Sequence, residues 1–67
     1  MTTLGDALPA EMARVRKLKE QYLSLGSAGA FGAAMMEASL QAADRVSISG
    51  DVVAMIQAYE DLKGYTD

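Results

Sequence analysis

An all-α fold of three helices is what this sequence predicts, on three observations. Apolar residues recur at helical spacing in three segments, and glycine and serine punctuate the chain at LGSAG (25–29) and SISGD (47–51). No stretch alternates with period two over a useful length. The segments cover residues 7–25, 28–46 and 51–63 of a single domain, 1–67. The expected architecture is an antiparallel hairpin of two longer helices with a shorter third packed across it, two copies of which dimerise into a helical bundle.

In the first segment Leu8, Met12, Val15, Leu18, Tyr22 and Leu25 trace one stripe, spaced three or four residues apart. Glu11, Arg14, Lys17 and Gln21 occupy the remaining face. Asp6 is placed to cap the first amides, and Pro9 falls in the first turn, where its missing N–H costs little. Gly26 is the expected left-handed stop.

The second segment opens at Ser27, a good N-cap, with SAGAFGAAMM. Ala30, Ala34, Ala38 and Ala42 recur every four residues as a ridge of methyl groups, with Gly29 and Ala33 beside it. Phe31, Met35, Met36 and Leu40 add bulk on the flanking rows. Gly29 and Gly32 each cost about 1 kcal/mol of helix propensity against alanine, which weakens the opening turns. Such small side chains let two helix axes approach more closely than the usual 8–10 Å. The ridge therefore predicts close helix contact, either with the chain's own first and third helices or with a second copy; a membrane-active surface is a third reading, which the acidic flanks disfavour. Gly29, Ala30, Phe31, Ala33, Ala34, Met35, Met36, Ala38 and Leu40 are the candidate packing or dimer-interface residues. The adjacent Met35 and Met36 point about 100° apart on a helix, so one can face the core and the other a partner.

The third segment places Val52, Met55, Ile56, Tyr59 and Leu62 on one face. Ser49 or Asp51 caps its start, Gly64 stops it, and Lys63 has the sign that the C-terminal end of the helix dipole prefers.

Composition narrows the function. A chain of 67 residues buries only about 60% of its unfolded surface. It holds no cysteine and no histidine, which removes disulfides, thiolate metal sites and imidazole acid–base chemistry. Oligomerisation is then the expected source of further burial. No phosphate-binding, zinc-protease or nucleophile-elbow motif is present, and the carboxylates are scattered. The expectation is a protein that is no enzyme and takes no metal or cofactor. A net charge of −3 disfavours nucleic acid as a partner. The uncharged run from Gln21 to Met36 is too short and too rich in glycine and serine to span a membrane. MTTLGDALPAEM has neither a basic n-region nor an apolar h-region, so the expected location is cytoplasmic.

Charge is uneven along the chain. Arg14, Arg16, Lys17 and Lys19 fall within six positions, whereas from Glu20 onward seven acids face only Arg45 and Lys63, a net of −5. The band is either a solvated face with pairs such as Arg16–Glu20 or a partner-facing patch that steers orientation.

LPAEMARVR, AGAFGAAMM and SGDVVAMIQAYEDLK together resemble small helical proteins encoded by phages and prophages of proteobacteria. The resemblance implies an accessory product in the bacterial cytoplasm that binds a host protein and regulates or inhibits it. Two other readings stand beside it: a structural subunit of a phage particle or larger assembly, and a small DNA-associated regulator using the basic band.

Overall fold

The computed structural model describes residues 3–66, which form three helices: α1 (Leu4–Leu23), α2 (Ser27–Ser49) and α3 (Val52–Lys63). No strand occurs among the described residues. The three helices are those that periodicity predicts, and all three pack against one another. Their ends differ from expectation for identifiable reasons. Thr3 occupies the N-cap position of α1, and its carbonyl accepts the amides of Asp6 and Ala7 at 3.0 and 2.7 Å. Asp6 therefore lies inside the first turn, where its charge suits the dipole and its carboxylate accepts the Thr3 hydroxyl at 3.0 Å. This earlier start leaves Pro9 in the second turn rather than the first.

α1 ends at Leu23, capped by Ser24 in right-handed geometry, so Gly26 is not its left-handed stop. Gly26 (φ 69°, ψ −140°) is instead the N-cap of α2, in a backbone region that is essentially reserved for glycine. Ser27 is consequently the first residue of α2 and not its cap, and the helix is continuous through Gly29 and Gly32. α2 extends past Val46 to Ser49, where Gly50 supplies the left-handed closure (φ 72°, ψ 11°) and donates its amide to the Val46 carbonyl at 3.1 Å. Asp51, and not Ser49, caps α3; its carboxylate accepts the Ala54 amide at 3.2 Å. α3 stops before Gly64 as expected, although that glycine is right-handed (φ −67°).

The core is a strip of apolar side chains: Leu8, Met12, Val15 and Leu18 from α1, Met36, Leu40 and Ala43 from α2, and Leu62 from α3. Tyr22, Met55, Ala58, Tyr59 and Tyr65 pack partly buried around it. Two of the predicted stripes overrun this strip. Leu25 lies beyond the end of α1 and is exposed; Val52 and Ile56 turn outward because α3 buries the row Met55, Ala58, Tyr59 and Leu62 instead. Burying one aliphatic side chain is worth about 1.5–3 kcal/mol, and α3 buries only Leu62 completely. The helical framework measures 36 × 23 × 15 Å and is flattened along one axis. Its accessible surface of 4404 Å² exceeds the roughly 4,100 Å² that size scaling gives for a chain of this mass. A thin body with a narrow core leaves each helix a wide outer face.

The α1–α2 contact explains part of the small-residue stretch. A Cβ at Gly29 would collide with the Tyr22 carbonyl, and one at Gly32 would come within 2.7 Å of the Tyr22 ring. Gly29→Ala is therefore expected to lose about 1–3 kcal/mol through overpacking, in spite of its gain in helix propensity. Gly32→Ala should cost less, because a ring can swing aside and a backbone carbonyl cannot. Urea unfolding of both variants checks the order, and a Gly29→Ala chain as stable as the parent would contradict the close approach.

Candidate interaction surface

The nine residues singled out in the second helix divide cleanly by face. Gly29, Ala33, Met36 and Leu40 are buried, and Ala43 continues their row at the same helical spacing. Ala30, Phe31, Ala34, Met35 and Ala38 are exposed. Three of the four ridge alanines, Ala30, Ala34 and Ala38, thus stand outside the contacts of the chain's own helices and only Ala42 is half-buried, contrary to the expectation that the ridge packs within the chain. It lies about 100° around the helix from the buried row, because Ala30 follows Gly29 by one residue. Met35 and Met36 separate as their spacing predicts: Met36 is in the core at 2% exposure and Met35 is outside at 48%. Of the other methionines, Met12 is buried and Met55 half-buried, both filling the core.

This outer face carries no charge from Ser27 to Met36. Phe31 stands 78% exposed on it, and Leu23 and Leu25 are exposed at the corner where α2 begins. A second exposed group, Ile48, Val52, Val53 and Ile56, surrounds the α2–α3 corner. Sequence reading missed Leu23, Ile48 and Val53. The adjacent valines held a signal, since two neighbours on a helix cannot both face one core.

The basic band is largely engaged within the molecule. Arg14 donates to Glu11 at 3.1 Å and to the carbonyls of Leu62 and Tyr65 at 3.0 and 2.7 Å, which fastens the end of α3 to α1. Tyr65 and Ser39 share a hydroxyl hydrogen bond of 2.9 Å that ties the same end to α2. Lys19 pairs with Glu37 at 2.7 Å, and Arg16 lies 3.9 Å from Asp44, so it reaches across to α2 and does not form the expected pair with Glu20. Lys17 is exposed. The shallow depression lined by Glu11, Arg14, Lys63, Tyr65 and Thr66 belongs to the Arg14 fastening.

Among the described residues no cluster of His, Cys, Asp or Glu could hold a metal ion, and no helix is long and apolar enough to cross a membrane. No buried side-chain polar atom lacks a partner among them. No protein-family model matches the chain, and no curated protein or solved structure matches it either.

The Glu37 carboxyl is held below its usual value of 4.5, first by the hydrogen bond from Lys19, then by that from Gln41 and by the Lys19 charge. Folding thus favours its ionised form. Its contribution is complete above the ordinary carboxylate range and lost as pH falls through the lowered folded value. Glu37→Gln should flatten the acid side of a stability–pH curve, measured by thermal melts in steps below pH 4.5. An identical curve would remove the pair from the account. Arg14→Ala should cost about 1.5–3 kcal/mol, the worth of hydrogen bonds from a charged donor, and should speed amide exchange at residues 62–65. Unchanged exchange there would mean that apolar packing and the Ser39–Tyr65 bond hold the end of α3 without Arg14.

Proposed function

We propose that this chain is a non-enzymatic protein–protein interaction module that forms a homodimer through the outer face of α2. The observation that carries the reading is Phe31, 78% exposed at the centre of an uncharged helical surface. Monomers seldom leave large aromatic rings on a contiguous apolar patch without a partner to cover them. Phe31, Met35, Leu23 and Leu25 with the three exposed alanines offer on the order of 500 Å² of apolar area per copy. Two such faces bring together about 1,000 Å², the threshold for a specific interface. The arrangement is self-complementary: the row bearing Phe31 and Met35 adjoins the low row of Ala30, Ala34 and Ala38, so a two-fold contact seats each bulky row on the other copy's alanines.

The resemblance to phage and prophage accessory proteins extends this proposal to a role: the dimer acts in the bacterial cytoplasm by binding a host protein and regulating or inhibiting it. The DNA-regulator alternative is weaker, since Arg14, Arg16 and Lys19 are spent on contacts within the chain. Nothing specific favours the structural-subunit reading over the dimer.

Light scattering across a dilution series is the test. The parent should show a dimer mass at high micromolar concentration that falls toward the monomer on dilution, with a melting temperature that depends on concentration. Phe31→Glu should retain its helical circular dichroism and remain a monomer throughout, because Phe31 supports nothing in the core. A monomer mass for the parent at every concentration overturns the dimer. Affinity capture from the bacterial host with mass-spectrometric identification then tests the regulatory role.

A further inference from the structure

We propose that Met35 is a redox-sensitive modification site: a peroxide converts its thioether to the sulfoxide, and the sulfoxide dissociates the dimer. The second step rests on the reading of the outer face of α2 as a homodimer contact; the selectivity for Met35 does not. Four methionines lie among the described residues, and the fold places them differently. Met12 and Met36 are buried at 6% and 2% exposure, and Met55 is half-buried against the core. Only Met35 stands open, at 48%. Oxidation follows access to the sulfur. One turn of α2 thus holds a reachable methionine and, one residue on, a shielded one.

The step is a two-electron oxygen transfer. A lone pair on the Met35 sulfur attacks one oxygen of hydrogen peroxide, and the O–O bond breaks. The departing hydroxide takes the proton left on the transferred oxygen, so one sulfoxide and one water form for each peroxide consumed. Sulfur is oxidised and the peroxide oxygens are reduced. A flexible apolar side chain becomes polar and chiral, and a methionine sulfoxide reductase can reverse the change.

The position of Met35 gives that change its effect. It follows Phe31 by four residues and so lies beside it on α2, inside the uncharged run that ends at Met36. The thioether suits an apolar contact, because it is unbranched and polarizable and gains from aromatic neighbours. The sulfoxide oxygen needs a hydrogen-bond donor instead. At helical spacing from Met35 are Phe31, Gly32, Ala38 and Ser39, and the one side-chain donor among them is the Ser39 hydroxyl, already shared with Tyr65 at 2.9 Å. Water satisfies the sulfoxide in the monomer, whereas a second apolar face removes that water from both copies at once. Dimerisation in turn covers Met35, so dilute chain oxidises faster than concentrated chain.

The test oxidises dilute chain with hydrogen peroxide, removes the peroxide with catalase, locates the added oxygen by tandem mass spectrometry, and measures mass by light scattering after concentration. Met35 should oxidise severalfold faster than Met12 or Met36. The chain oxidised at Met35 should keep its helical circular dichroism. Its dimer dissociation constant should rise about tenfold for each copy's sulfoxide, and so about a hundredfold in all. Met35→Leu, treated in the same way, should remain a dimer, and Met35→Gln should weaken the dimer with no oxidant present. Oxidation of Met36 as fast as Met35, or equal loss of the dimer in treated Met35→Leu, would overturn the proposal. A parent already monomeric before peroxide is added overturns the dimer and the release step with it. A dimer undisturbed by oxidation at Met35 overturns the release step alone.

Discussion

The contact between Gly29 and the Tyr22 carbonyl fixes the rotation of α2 about its own axis, and the rest of the molecule follows from that rotation. A helix has one inward stripe. With Gly29 pressed against α1, the stripe must continue through the buried Ala33, Met36, Leu40 and Ala43, the last three of which join the apolar face of α1 in one core cluster. Phe31, Ala34 and Met35 are then turned outward whatever their hydrophobicity. The same rotation aims Glu37 and Asp44 toward α1, where Lys19 and Arg16 meet them. Core, ion pairs and exposed apolar face are thus three consequences of one close approach between backbones.

The interior holds no buried polar or charged side chain among the described residues. Apolar side chains alone tolerate sliding and repacking, because they carry no directional preference. Alignment of the helices is imposed instead from the rim. Arg14 grips the carbonyls at the end of α3, Tyr65 meets Ser39, and Lys19 meets Glu37. These polar ties add modest stability in partial contact with solvent, yet each is satisfied in only one register. The molecule separates cohesion, which is apolar and central, from specificity, which is polar and peripheral.

How far the sequence discloses this arrangement depends on the signal each residue carries. Leu8, Met12, Val15 and Leu18 are large and regularly spaced, so the buried face of α1 can be read directly. The second helix is ambiguous because alanine is at home on either face. Its most regular row, Ala30, Ala34, Ala38 and Ala42, draws the eye away from the mixed row that is buried. Gly29 settles the matter only when the position of Tyr22 in space is known. The basic band is visible as a cluster, but the acids that answer it lie on another helix, and cross-helix register is not written in local spacing. Cap positions shifted by a few residues for a similar reason: Thr3 and Gly26 perform roles that Asp6 and Ser27 are chemically equipped to fill. Of the interaction surface, the uncharged stretch from Ser27 to Met36 was legible, whereas the corner bearing Ile48 and Val53 was not. A short aliphatic run looks the same whether it is headed inward or outward.

The brevity of the two corners has a consequence for how the chain reaches its native form. Three residues separate α1 from α2, and two separate α2 from α3. Each neighbouring pair of helices can therefore zip together with little loop-closure entropy, and only the meeting of α1 with α3 joins distant parts of the chain. Low mean sequence separation of this kind belongs to helical domains that fold in microseconds to milliseconds. The Arg14 fastening, bridging 48 and 51 positions to Leu62 and Tyr65, closes far longer loops than either corner does, and so carries a larger closure entropy than they do.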